Sequence, residues 1–138
     1  MTALWQMSAA GIAAAVRAGN LTACEVVTSC LDRMHRVDRG LNAMLGNRSD
    51  AVLAAAKALD EDRQRGQALG PLAGVPIAWK DNLVLEGELA TAGSRMLDGF
   101  RSPYSATVLE RLQRAGAILI GRTNMDEFGM GSSTETSA

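Results

Sequence analysis

The run Ala117-Ile118-Leu119-Ile120-Gly121 narrows the folds open to this chain of 138 residues more than any other stretch. It does not alternate polar with apolar side chains. A strand of that kind presents hydrophobic groups to both faces of a sheet, so both faces must be covered. The segment before it reads as a helix. Val108, Leu109 and Leu112 fall at helical spacing on one face, Ser105 is the expected N-cap and Gly116 the stop. A helix feeding a doubly buried strand predicts a layered α/β architecture.

The first 66 residues predict a helical layer. Ser8 is placed to cap a helix running to Ala18, with Gly19-Asn20 ending it. Thr22-Ala23-Cys24-Glu25 fits a capping box, in which the hydroxyl and the carboxylate each satisfy an orphan backbone donor. Behind it Val26, Val27, Cys30, Leu31, Met34 and Val37 recur at three and four, a single apolar stripe ended by Gly40. Residues 41–45 are short and apolar, and predict a strand. Ser49 or Asp50 is the expected cap of a third helix, with Val52, Leu53, Ala56 and Leu59 facing the core. Its charged end, residues 60–65, is expected to face water, and Gly66 closes it.

The composition changes at Gly70. A turn-rich entry, residues 70–76, leads into Ile77-Ala78-Trp79, a brief apolar run that ends in Lys80-Asp81-Asn82. A loop rich in Gly, Ala and Ser follows to about Pro103. After the 117–121 strand, residues 123–138 predict a short helical turn and then a Gly/Ser/Thr loop. No linker divides the chain, so residues 1–66 and 67–138 read as two parts of one domain.

Charge and cysteine usage exclude several functions. Fourteen Lys and Arg against fifteen Asp and Glu give a formal charge of -1, without the basic excess of a free-standing nucleic-acid binder. No apolar run approaches the roughly 20 residues of a membrane span. The first residues lack the basic and apolar regions of a signal peptide, so a cytoplasmic location is expected. Cys24 and Cys30, six apart on a helix, have neither disulfide nor metal spacing, and no metal site is expected. His35, the sole histidine, stands among Asp32, Arg33 and Arg36 and reads as a solvated helix residue, which excludes a Ser-His-Asp device. Aromatics supply only 4% of the chain, so the core has to rest on Leu, Ile, Val and the seven Met residues.

Three places could carry chemistry. Lys80 follows an apolar run at a strand end, where sites are often built. Partial desolvation there would disfavour its charged form and make it a base, whereas a solvated strand-end lysine is the plainer alternative. Met130-Gly131-Ser132-Ser133-Thr134-Glu135 could present backbone N–H groups and hydroxyls to a substrate, or Ser132–Glu135 could open a helix as a capping box. It is not a P-loop, because the lysine is missing. Asp126 and Glu127 are adjacent and point about 100° apart on a helix, so they form no facing acid–base pair; capping of that turn by Thr123 or Asn124 explains them. Asp81-Asn82 reads as a turn.

Taken in order, residues 70–82 (GPLAGVPIAWKDN), 107–112 (TVLERL), 115–128 (AGAILIGRTNMDEF) and 130–135 (MGSSTE) resemble the amidase-signature family. The last of these resembles the glutamine-hydrolysing subunits of tRNA-dependent amidotransferases in particular. The resemblance is strong from Gly70 onward and extends back to about residue 20. It implies amino-terminal helices followed by the first part of an α/β/α mixed-sheet amidase core. It implies a mechanism with a serine nucleophile, a second, bridging serine and a lysine, and Lys80 matches the lysine. Met130, Gly131 and Ser132 would lie near the substrate. The resemblance further implies glutamine as ammonia donor, with the B and C subunits of the amidotransferase as partners. The B partner would use ATP and Mg and hold the misacylated Glu-tRNA or Asp-tRNA, leaving no cofactor in this chain. Two departures stand out: Trp79 where a smaller aliphatic residue is usual, and Thr136 where Asn is frequent. The bridging serine and the nucleophile are expected beyond Ala138, so the 138 residues are expected to be inactive alone; Ser132 and Ser133 are not substitutes for them.

Overall fold

The computed structural model describes residues 3–46 and 48–138. Among them are four α-helices, α1 (Ala9–Ala18), α2 (Ala23–Val37), α3 (Ser49–Gln64) and α4 (Thr107–Arg114). Three strands, β1 (Met44–Leu45), β2 (Pro76–Lys80) and β3 (Ile118–Thr123), form one sheet in the order β1-β3-β2. β3 runs parallel to β2 and antiparallel to β1, so the sheet is mixed and the fold is α/β as expected.

The first two helices begin where the sequence places them. The Ser8 hydroxyl accepts from Gly11 N at 3.1 Å, and Gly19 ends α1 at φ 77°, the left-handed conformation glycine adopts most easily. Thr22 and Glu25 form the complete capping box, with Thr22 N donating to Glu25 Oε2 at 2.8 Å. α2 stops at Val37, and a 3-10 turn, Asp38–Gly40, follows it. There the Asp38 carboxylate accepts from Ala43 N and Met44 N and turns the chain into β1.

Several boundary expectations are corrected. Only two residues of 41–45 form a strand, and Leu41 is exposed. α3 starts at Ser49 itself, with Arg48 in the N-cap position and no side-chain cap from it. Ser105 does not cap α4; its hydroxyl accepts from Glu86 N at 3.0 Å, and Ala106 takes the N-cap place. Leu53 and Val108 lie about 100° round the helix from Val52 and Leu109, and the rotation leaves both exposed.

The largest correction is Asp60, expected in water and found 6% exposed. Its carboxylate accepts from Ala23 N at 2.7 Å and Cys24 N at 3.0 Å, the first amides of α2. A helix N-terminus has unsatisfied donors and a positive dipole end, so a carboxylate from the packed neighbouring helix is stabilised there.

Successive residues of β3 face opposite ways. Ile118 packs with Ala23, Val27, Leu31, Val52 and Ala56 of α2 and α3, while Leu119 packs with Trp79, Leu85 and Leu109. The sheet is therefore covered on both faces, which is the condition its unalternating sequence sets. Leu109 is fully buried, a transfer worth about 1.5–3 kcal/mol. Of the methionines, Met125 is buried and Met7 and Met34 pack against the core, whereas Met96 and Met130 are exposed.

The segment before β2 is zipped to the start of β3. Leu72 N donates to Ala115 O at 2.8 Å, Gly74 N to Gly116 O at 3.0 Å and Ile118 N to Val75 O at 2.9 Å. Gly70 is required in this approach, since a Cβ there would collide with the Ala115 carbonyl.

Candidate active site

Lys80 is the last residue of β2, paired in register with Thr123, the last residue of β3. Its side chain is exposed, and its carbonyl accepts from Leu83 N at 2.9 Å in the turn that follows. The apolar run before it alternates across the sheet, with Trp79 buried and Ala78 exposed. Trp79 is flanked by the Arg48 guanidinium, 5.1 Å from the ring centroid, a cation–π distance. Arg48 also donates to Glu88 at 2.8 Å and to Leu119 O at 2.9 Å.

Asp81 stands in the turn after Lys80, as its sequence predicts, and is completely buried. Its carboxylate accepts from the Arg122 guanidinium, from Thr91 N at 3.0 Å and from the Thr91 hydroxyl. Arg122 is itself 7% exposed, so the two charges are removed from water together. Asp81 N donates to Thr123 O at 3.2 Å, which extends the β2–β3 pairing past Lys80. The sequence signal for this pair is a charged Arg122 directly after a doubly buried strand, where an unpaired charge would be very costly.

The carboxylates Asp126 and Glu127 serve different partners, although Asp126 is extended rather than helical, so the helical spacing expected of the pair does not apply. Asp126 accepts from the Thr136 hydroxyl at 3.1 Å, and Glu127 accepts from the Ser94 hydroxyl at 2.6 Å. Thr136 Oγ1 accepts in turn from Glu127 N at 3.2 Å, so this departure from the expected Asn still ties the loop together. The expected capping by Thr123 or Asn124 is corrected: Thr123 belongs to β3, Asn124 Oδ1 accepts from Met125 N at 2.9 Å and from the Ser137 hydroxyl at 2.7 Å, and the N-cap of the helical turn is Asp126, with no side-chain cap. A single 3-10 turn, Glu127–Gly129, follows.

Met130, Gly131 and Ser132 are exposed in the loop after that turn. Residues 132–135 form bends and a turn and no helix, so the capping-box reading of Ser132–Glu135 is corrected. Gly131 lies so close to the Asp126 carboxylate that a Cβ there would collide with it. Lys80 and this loop are linked through β3: Lys80 pairs with Thr123, and the chain runs from there through residues 124–129 into Met130. Nearby, Thr91, Gly93, Ser94, Arg95, Asp98 and Ala138 line an open cleft of about 320 Å³.

The remaining chemistry-bearing residues lie elsewhere. Cys24 and Cys30 are free, half-buried thiols. The Cys24 thiol is pushed up from its ordinary value of 9.0 by burial, by its hydrogen bond with Asp60 and by the Asp60 charge; Cys30 is pushed up by burial. Both shifts favour the protonated thiol over the reactive thiolate. His35 is exposed on α2. Among the described residues, no group of three or more His, Cys, Asp or Glu could hold a metal ion, and no helix is long and apolar enough to cross a membrane.

The arrangement of helices about a mixed sheet is that of solved amidases. The chain belongs to the Amidase family, whose model matches residues 25–138. It is 52% identical over all 138 residues to the A subunit of the glutamyl-tRNA(Gln) amidotransferase of Chloroflexus aurantiacus, and spans 28% of that protein's length. Among solved structures it superposes with TM-score 0.90 and 34% identity on the inhibitor-bound form of a vestigial complex described as revealing the origins of an s-triazine catabolic enzyme. That match covers 94% of this chain and 29% of the other. The peptide amidase of Stenotrophomonas maltophilia matches with TM-score 0.81 and 34% identity, over 89% of this chain and 26% of its own.

Proposed function

We propose that the chain is the amino-terminal part of the glutamine-hydrolysing subunit of a tRNA-dependent amidotransferase, and that Lys80 is its general base. The observation that carries this reading is the placement of Lys80 at the end of β2, in a chain 52% identical along its whole length to the corresponding amidotransferase subunit of Chloroflexus aurantiacus. In the proposed reaction the nucleophilic serine gives its proton to a bridging serine, whose own proton passes to the neutral Lys80 amine. The serine oxygen attacks the glutamine side-chain amide carbon. The C–N bond breaks, ammonia leaves with a returned proton, and water hydrolyses the acyl-enzyme to glutamate. Both serines lie outside these residues in this reading, so the 138 residues alone carry the base without its nucleophile.

Lys80 is exposed on the strand end, so the walls that would desolvate it come from the rest of the domain. The loop of Met130, Gly131 and Ser132 follows the neighbouring strand and offers N–H groups and a hydroxyl to the substrate side of that space. The released ammonia is passed to the B partner. There ATP and Mg activate the carboxylate of Glu or Asp misacylated onto tRNA, and the C partner holds the assembly together. The absence of basic excess in this chain agrees with a tRNA site on a partner chain.

A chimera tests the reading. This chain replaces the 138 matched residues of the Chloroflexus aurantiacus protein, which is assembled with its partners and assayed for ammonia release from glutamine. Activity is expected, and Lys80→Ala is expected to lower kcat by at least about 100-fold. Full activity of Lys80→Ala would refute the assigned base. Hydrolysis of other small amides without any response to the partners would favour a stand-alone amidase.

A further inference from the structure

We propose that Asp81, fixed by Arg122, is a positioning residue that couples Lys80 to the loop carrying Met130, Gly131 and Ser132. The proposal rests on the reading of Lys80 as general base.

Two charges taken out of water together give little net stability compared with apolar residues of the same volume, so the fixing of geometry is the role proposed for this pair. Asp81 follows Lys80 directly and is fully buried. Arg122 is register-paired with Trp79, and the next residue, Thr123, is paired with Lys80. The ion pair therefore joins the residue that follows β2 to the penultimate residue of β3, immediately beside the proposed base.

A second set of contacts leads from Asp81 to the loop. Thr91 gives its N–H and hydroxyl to the Asp81 carboxylate, and Ala92 N donates to Asp81 O at 3.4 Å. On their other side, the same residues hold the loop after β3. Ala92 O accepts from Phe128 N at 2.8 Å, Gly93 O accepts from Ala138 N at 3.0 Å, and the Ser94 hydroxyl donates to Glu127 at 2.6 Å. Glu127 and Phe128 stand just before Met130. Residues 91–94 are thus a bridge with Asp81 at one end and the proposed substrate loop at the other.

Two residues of the bridge lie in the left-handed region. Ala92 has φ 50° and Gly93 φ 67°, and a Cβ on Gly93 would lie 2.6 Å from Met125 O. An alanine in the left-handed region persists where its surroundings over-determine it. Release of the Asp81 end lets the bridge relax, and the loop then moves relative to Lys80. A misplacement of about 1 Å at a site of this kind costs about 100-fold in rate.

The test measures kcat and KM for glutamine in the chimera carrying Arg122→Gln, Arg122→Lys or Thr91→Val. Arg122→Gln is expected to lower kcat about 100-fold in folded protein, and Thr91→Val about 10-fold, with KM changed less than about twofold. Arg122→Lys, which keeps the charge opposite Asp81, is expected to recover most of the loss. Unchanged kcat in Thr91→Val and Arg122→Gln, with only a lowered melting temperature, would overturn the proposal and leave the pair a structural one. Should Arg122→Gln fail to fold, Thr91→Val decides alone, because it keeps the ion pair. Lys80→Ala runs beside them. If it retains activity, the base assignment has failed. If it is inactive while the Arg122 and Thr91 variants are fully active, only the coupling has failed.

Discussion

Replacing Asp60 by Ala removes the carboxylate that holds the start of α2. In the structure that carboxylate takes two hydrogen bonds, from Ala23 N at 2.7 Å and Cys24 N at 3.0 Å. Ala23 is fully buried, so water does not replace the lost acceptor without local opening. A hydrogen bond to a charged group contributes about 1.5–3 kcal/mol. The two share one carboxylate and are not fully additive, and burying that carboxylate has its own cost. A net loss of about 3 kcal/mol follows, a large fraction of the roughly 5–15 kcal/mol that holds a typical domain. The expected fall in melting temperature is about 10 °C. Urea unfolding followed by far-UV circular dichroism measures the loss, with Asp62→Ala as the control. Asp62 forms an i,i+3 ion pair with Arg65 at 2.7 Å on the surface and should change stability by less than about 1 kcal/mol. A loss below about 1 kcal/mol for Asp60→Ala, at an unchanged urea slope, would show that the carboxylate does not hold α2.

Other outcomes follow from neighbouring contacts. Asp60→Ala also removes two of the influences that raise the Cys24 thiol, so alkylation of Cys24 should speed up at fixed pH, read by mass spectrometry. The Glu25 carboxyl is held below its ordinary 4.5 by the Thr22 backbone N–H and then by the Thr22 hydroxyl. A lowered folded-state pKa gives stability that is present in full above about pH 4.5 and lost as pH falls through the folded value. The acid limb of stability against pH should therefore flatten in Glu25→Gln. Gly70→Ala drives a Cβ into the Ala115 carbonyl and should cost about 1–3 kcal/mol by urea unfolding. The Trp79 Nε1 is buried with no hydrogen-bond partner among the described residues, so Trp79→Phe should change the melting temperature by only a few degrees, since the lost ring contact is offset by removal of that donor.

Local rules read the helices well because their signals are local. The Ser8 cap and the Thr22–Glu25 box lie within three residues of their partners, and the doubly buried β3 follows from its own apolar run. What escaped were side chains committed to distant partners. Asp60 looks like part of a charged, solvated helix end until α2 is packed against it 37 residues away in sequence. Ser105 looks like an N-cap, but Glu86 takes its hydroxyl from across the 83–103 loop. At the candidate site, periodicity finds Lys80 at a strand end but gives no reason to prefer it over a surface lysine. Its neighbour Asp81 is the turn residue its sequence suggests, but its burial and its partners Thr91 and Arg122 come about only after β2 and β3 pair. The family resemblance singled out Lys80, whereas the buried pair beside it came from the three-dimensional arrangement.

The parallel pairing of β2 with β3 has a consequence for synthesis. Thirty-seven residues, 81–117, separate the end of β2 from the start of its partner. At about 5–20 residues per second, the ribosome needs roughly 2–7 s to supply β3 after β2 is complete. During that interval α1 to α3 already have sequence-local partners, while Ile77 and Trp79 have no strand beside them. The nascent chain therefore carries an unpaired apolar edge, open to chaperones or to aggregation, at the place where Lys80 will later be fixed.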